Sequence, residues 1–291
     1  MAVRFEARGV ALAADVAGTW SGPAVLLLHG GGQTRQSWGG TLQVLADAGF
    51  LAVTVDQRGH GESDWAGDGD YSIGAYAADV RAVARQIARP VALVGASLGG
   101  LASLLAVAEP PGVDATALVL VDVTPRMRQD GRERIGEFMR GRPEGFGSVE
   151  EAADAVSRYL PDRPRPKDVS GLARNLRLGA DGRLHWHWDP RFLDSRLQDD
   201  TGHPVRFENA AAVVTAPMLL VRGGNSDVVG EDEAGALLRV APRAQAIDVA
   251  GAGHMVAGDR NDIFSSAVAE FLIKNARVAR ESVRPGSERA W

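Results

Sequence analysis

The sequence predicts an α/β fold in which a mostly parallel, eight-stranded sheet is flanked by helices. Short apolar runs without polar alternation recur along the chain, as they do in strands buried on both faces. Amphipathic segments with helical spacing fall between those runs. One long stretch, residues 124–216, breaks the alternation and reads as a helical insertion. The chain therefore divides into a core of residues 1–123 and 217–291 and a helical cap, or lid, of residues 124–216.

Residues 4–9 and 10–16 read as a β-hairpin, and Ala24-Val25-Leu26-Leu27-Leu28 as a buried parallel strand. A helix is expected over 36–48 and a further buried strand over 50–55. Residues 75–89 have the pattern of an amphipathic helix, with Tyr76, Val80, Val83 and Ile87 on one face and Asp79, Arg85 and Arg89 away from it. Strands at 91–94 and 117–121 follow, and beyond the insertion come strands at 218–221 and 244–249 with helices at 231–240 and 263–276. The insertion holds charged helical segments at 132–140 and 149–159, a Pro-rich break at 161–166 and no buried strand. An insertion between two core strands sits at the carboxyl edge of the sheet, where it covers a site. The polar tail from Arg277 is expected to fray.

A chain of 291 residues that is 45% hydrophobic has material for one large α/β domain or two modest ones. The formal net charge of -5 argues against a general nucleic-acid binder. The absence of cysteine excludes disulfides, thiolate catalysis and zinc–thiolate sites. No signal peptide or membrane span is visible, so a soluble cytoplasmic protein with no membrane partner is expected.

The chemistry concentrates in the loops that follow the strands. Ser97 lies in Gly95-Ala96-Ser97-Leu98-Gly99, between the apolar run 91–94 and a second apolar run at 101–107. A G-x-S-x-G between a strand and a helix is a nucleophile elbow. Its glycines let strand and helix approach, and the helix N-terminus favours developing negative charge. A serine hydroxyl needs a base, and the base an orienting acid. The base is read as His254, in a Gly-rich loop after the last strand, and the acid as Asp227, just after the strand at 218–221. The order Ser, Asp, His is the one this elbow type uses. Asp122, at the end of the strand 117–121, is the rival acid, with a capping role beside Thr124 and Pro125 as its alternative.

Two backbone amides must hold the oxyanion. One is assigned to Leu98 and the other to Gly31, in His29-Gly30-Gly31-Gly32-Gln33. No Gly-Lys-Ser/Thr follows these glycines, which argues against a phosphate loop. His29, Arg58 and His60 are expected to brace loops through hydrogen bonds. His185 and His187 are two apart without a third ligand nearby, so packing is preferred over metal binding. Gly32, Trp38, Trp186 and Trp188 are the candidate lining of a substrate pocket. Arg126, Arg128, Arg132, Arg134 and Arg140 are expected to form a solvated face.

Taken together, these motifs resemble the α/β-hydrolase superfamily. The matching parts are His29 to Gly32, Asp56-Gln57-Arg58-Gly59-His60-Gly61-Glu62-Ser63, Gly95 to Gly100, Gly223 to Asp227 and Gly251 to His254, in the family order. The insertion looks like the helical cap of the esterase, lactonase and haloperoxidase-like branch. That resemblance implies an α/β-hydrolase fold and a Ser-His-Asp mechanism needing no cofactor and no metal. Relatives with an aspartate nucleophile, such as epoxide hydrolases and haloalkane dehalogenases, are disfavoured by Ser97. The expected activity is hydrolysis of small carboxylic esters or lactones through an acyl-enzyme. Two alternatives are hydrolysis of a carbon–carbon bond in a β-diketone-type metabolite on the same triad, and a non-enzymatic ligand receptor on the same scaffold.

Overall fold

The computed structural model describes residues 1–161, 163, 165–198, 204–256 and 261–282. The chain begins with β1 (Ala2–Ala7), β2 (Val10–Gly18), β3 (Ala24–Leu28), α1 (Gly39–Asp47), β4 (Leu51–Val55), α2 (Ile73–Ile87) and β5 (Val91–Ala96). It continues through α3 (Leu98–Ala108), β6 (Ala115–Val121), α4 (Gln129–Arg140), α5 (Val149–Tyr159), β7 (Leu176–Leu178), β8 (Leu184–Trp186), α6 (Arg191–Gln198) and α7 (Pro204–Val213). It closes with β9 (Met218–Gly223), α8 (Glu231–Val240), β10 (Gln245–Val249) and α9 (Asn261–Ser282).

The main sheet has eight strands in the order β1-β2-β4-β3-β5-β6-β9-β10. Only the β1–β2 and β2–β4 pairings are antiparallel; the rest are parallel. The fully apolar strands sit at the centre because both of their faces are covered. Leu26 and Leu28 of β3 point into one cluster and Val25 and Leu27 into the other. Helices α2, α3, α7 and α8 contribute to the first cluster, and α1 and α9 to the second. Each fully buried Leu or Val contributes roughly 1.5–3 kcal/mol relative to exposure.

The differences from the sequence reading have physical causes. Asp79 does not lie on the solvent face of α2; it is buried and receives a bidentate ion pair from Arg58 at 2.6 Å on each oxygen. A paired buried carboxylate has the periodicity of an exposed one, which is why the spacing alone misplaces it. The last helix runs to Ser282, past the predicted start of the frayed tail at Arg277, and the tail beyond it lies outside the described residues. Between β6 and β9 a short antiparallel ribbon, β7–β8, accompanies the helices. Helix α7, inside the expected bounds of the insertion, packs on α3 and α8 and buries Phe207, Ala210 and Ala211 beside the sheet. No helix among the described residues is long and apolar enough to cross a membrane.

Candidate active site

Three loops at the carboxyl ends of β5, β6 and β9, with the loop after β10, bring the chemistry together. Ser97 links β5 to α3 with φ 46 and ψ -111, a strained conformation that only tight packing sustains. That packing leaves no room for a side chain at Gly95 or Gly99. A Cβ at Gly99 would lie 2.4 Å from the Leu28 carbonyl oxygen, and one at Gly95 2.3 Å from the Gly99 oxygen. The G-x-S-x-G spacing is thus a packing requirement at this crossing.

His254 is reached from the other side of the sheet edge. Its loop is tied to the loop after β9: the Gly224 amide donates to the Val249 carbonyl and the Asn225 amide to the Ala252 carbonyl. His254 Nδ1 lies 2.7 Å from Asp122 Oδ2. Asp122 is fully buried, with φ 49, and also accepts from the Gly223 amide at 2.9 Å and from the Ser226 hydroxyl at 2.5 Å. The carboxylate is therefore held in one orientation by donors on two loops.

Asp227, the acid chosen from the sequence, does not meet His254. Its carboxylate faces outward to Arg134 at 2.9 Å. The cause is the turn at Ser226, whose hydroxyl accepts from the Val228 and Val229 amides at 3.1 Å each. The turn points Ser226 towards Asp122 and leaves its neighbour on the other side. The rival acid, Asp122, thus holds the position against the imidazole.

The oxyanion candidates have the required availability. In the His29–Gln33 loop the Gly30 amide donates to Gln33 Oε1, the Gly32 amide to His60 Nε2 and the Gln33 amide to the Gly30 carbonyl. The Gly31 amide has no acceptor among the described residues and borders the cavity that holds Ser97 and His254. Leu98 opens α3, so its amide is one of the unpaired donors of a helix N-terminus.

That cavity has a volume of about 100 Å³ and is walled by Ile135, Phe138 and Met139 of α4, by Tyr159 and by Trp188. A second cavity of about 560 Å³ also reaches Ser97 and is bounded by Met127, Met139, Leu193 and Val228. Ile135 and Met139 line both. Gly32 and Trp188 line the smaller cavity, and a Cβ at Gly32 would lie 3.3 Å from the Trp188 ring. Trp186 instead stacks behind Trp188, with ring centroids 5.1 Å apart and planes at 12°. Trp38 is buried against Phe264 and borders a separate space of about 120 Å³ next to His254. The α4 residues were missed because their stripe, Ile135, Phe138 and Met139 at i, i+3, i+4, lies within an otherwise charged helix. The arginine face is divided: Arg126, Arg128 and Arg134 pair with Glu208, Glu233 and Asp227, whereas Arg132 and Arg140 border the larger cavity.

His185 pairs with Asp181 at 2.9 Å. His187 is buried and accepts the Gly61 amide on Nδ1 at 2.8 Å. His29 and His60 brace loops as expected, each accepting a backbone amide, from Gln57 and Gly32 respectively. Gly61 has φ +57 and comes so close to the Asp56 carboxylate, 2.2 Å from an added Cβ, that no side chain fits this turn.

Burial pushes His187 down to about 4 and His29 below its ordinary value. Around His187, His29 and Arg177 add to the fall and Asp56 opposes it. Unfolded histidines bind protons at higher pH than these buried ones, so stability is full above the unfolded value of 6.5 and falls towards pH 4. The His187 share is about 3 kcal/mol. Urea unfolding from pH 7 to pH 4 should show this loss, with a shallower slope in His187→Gln; equal slopes would contradict it.

The chain matches the model of the alpha/beta hydrolase family over residues 25–267. It belongs to that family. Within the family it is 33% identical over 254 residues to Esterase Rv0045c of Mycobacterium tuberculosis, covering 83% of this chain and 80% of that one. It is 29% identical over 258 residues to the 2-(acetamidomethylene)succinate hydrolase of Mesorhizobium japonicum, covering 87% and 88%. The crystal structure of an E-2-(acetamidomethylene)succinate hydrolase superposes with a TM-score of 0.81 at 25% identity, over 94% of this chain and 99% of that one. Relatives named as esterases and hydrolases support a hydrolase acting on small molecules.

Proposed function

We propose that this family member is a serine hydrolase of small carboxylic esters or lactones, with Ser97 as nucleophile, His254 as general base and Asp122 as orienting acid. The observation that carries the reading is the Asp122–His254 hydrogen bond, with His254 and Ser97 on the wall of one cavity. Asp122 accepts from Nδ1, which leaves Nε2 to take the proton of Ser97 as its oxygen attacks the carbonyl. The amides of Leu98 and Gly31 receive the oxyanion. His254 then protonates the leaving alcohol, and water activated by the same imidazole resolves the acyl-enzyme.

The larger cavity sets this reading above its alternatives. A carbon–carbon bond hydrolase of acidic diketones calls for net positive charge around the substrate. Here Arg132 and Arg140 share the lining with Glu133 and Glu137, so the charges balance. A receptor without catalysis has no use for a buried carboxylate held by two donors against an imidazole.

The insertion acts in this proposal as a cap whose α4 residues set substrate length. The smaller cavity, about 100 Å³ against about 560 Å³ for the larger, suits a short acyl chain. p-Nitrophenyl acetate to butyrate should therefore turn over faster than the octanoate. Met139→Ala shortens a side chain that lines both cavities and should move the optimum to longer chains, by about fourfold in kcat/KM per methylene newly accommodated. A profile flat in chain length and unmoved by Met139→Ala would place specificity elsewhere.

A further inference from the structure

Three histidines hold three successive peptide planes of the loop that carries Gly31. A peptide unit is planar, so fixing its carbonyl fixes the amide on its other edge. The Gly30–Gly31 plane is held at the Gly30 carbonyl, 2.8 Å from His29 Nδ1. The Gly31–Gly32 plane is held at the Gly32 amide, which donates to His60 Nε2 at 3.1 Å. The Gly32–Gln33 plane is held at the Gly32 carbonyl, 3.3 Å from His187 Nε2.

The tautomers follow from the backbone donors. The amides of Gln57, Gly32 and Gly61 donate to His29 Nε2, His60 Nε2 and His187 Nδ1, so in each ring the other nitrogen carries the proton. His29 and His187 then donate to the carbonyls of Gly30 and Gly32, and His60 donates to the Arg58 carbonyl at 3.0 Å. The rings also touch in series: His29 and His60 centroids are 5.2 Å apart, and His60 and His187 5.8 Å.

His29 and His60 belong to the loops after β3 and β4, whereas His187 comes from the insertion. Its neighbours fasten the same strap. The Asp189 amide donates to the Gly59 carbonyl at 2.9 Å, Asp189 accepts the Tyr71 hydroxyl at 2.6 Å, and Arg177 donates to the Gly61 carbonyl at 2.5 Å. His187 carries this attachment on to Gly32, one residue from the free amide.

We propose that His187 is a positioning residue that couples the insertion to the oxyanion amide of Gly31, by spanning the Gly61 amide and the Gly32 carbonyl with one neutral ring. The proposal rests on the serine-hydrolase reading above for its catalytic meaning, and on the hydrogen bonds alone for its mechanics. Without the Nε2 donor, the Gly32–Gln33 plane keeps only the bond from its Gln33 amide to the Gly30 carbonyl, and the aim of the Gly31 amide loosens. An aimed oxyanion donor acts in the transition state rather than on bound substrate, so its loss lowers kcat and leaves KM in place.

Two isosteric half-replacements separate positioning from mere attachment. The amide oxygen of His187→Asn sits where Nδ1 does and keeps the Gly61 contact; the amide nitrogen of His187→Gln reaches the position of Nε2 and keeps the Gly32 contact. On p-nitrophenyl butyrate, His187→Ala and His187→Asn should lose roughly tenfold or more in kcat at nearly constant KM, part of the 10²–10³ that a whole donor supplies. His187→Gln should restore most of it. Hydrogen exchange in the peptide spanning residues 29–34 should quicken in His187→Asn and not in His187→Gln. If Asn and Gln behave alike in both readouts, or only KM moves, the proposal is overturned. If the unaltered protein neither turns over esters nor reacts at Ser97, the serine-hydrolase reading fails, and the exchange comparison alone decides whether the clamp exists.

Discussion

Ser97→Ala should abolish both covalent labelling by a fluorophosphonate and nearly all ester turnover, with a loss in kcat on the order of 10⁵ or more. The size follows from how the group acts. Nucleophile, base and acid work as a unit, so removing the first makes the other two useless and leaves only the residual contribution of binding and the oxyanion hole. The change itself should cost the fold little. Ser97 holds φ 46 because α3 must start against β3, and alanine fits that space without adding an atom. The thermal midpoint of Ser97→Ala should therefore match that of the unaltered protein. Labelling that persists in the variant would move the nucleophile elsewhere.

Asp122→Asn should lower kcat by roughly 10³ to 10⁴, while Asp227→Asn changes it by no more than a few-fold. The contrast rests on what each carboxylate touches. Asp122 receives His254 Nδ1, the Gly223 amide and the Ser226 hydroxyl. An asparagine there presents an amide N–H towards one of these donors, favours the wrong imidazole tautomer and withdraws the negative charge that stabilises the imidazolium. Asp227 holds a half-exposed ion pair with Arg134, an interaction of the kind worth about 0–1 kcal/mol. Stopped assays of the two variants at saturating p-nitrophenyl butyrate decide between them. The reverse ranking would return the acid to the loop after β9.

The elbow was legible in the sequence because its chemistry and its packing demand the same residues. Gly95 and Gly99 must lack side chains for β5 and α3 to cross, and Ser97 stands between them. The strands were legible because β3 and β4 are buried along their full length, β3 continuously apolar and β4 apolar at every position but Thr54. The acid was not, because Asp122 and Asp227 both follow core strands. The choice between them depends on a hydroxyl, Ser226, that turns one loop by accepting two amides. Nothing in residue spacing encodes that turn. The same holds for Asp79, whose burial is set by Arg58 more than twenty residues earlier in the chain, and for Met139, whose place in the lining of two cavities depends on how α4 lies over Ser97. His187 was read as packing, and it is packed. Its hydrogen bonds to loops after β3 and β4 arise only when the insertion folds back on them.

The most direct measurement is peptide mapping after an acid quench. The protein is mixed with p-nitrophenyl acetate, quenched within the first turnovers, digested and read by mass spectrometry. The account predicts one acetyl group, on Ser97, abolished in Ser97→Ala. Steady turnover without an acyl adduct, or an acetyl group on another side chain while Ser97→Ala stays active, would contradict it.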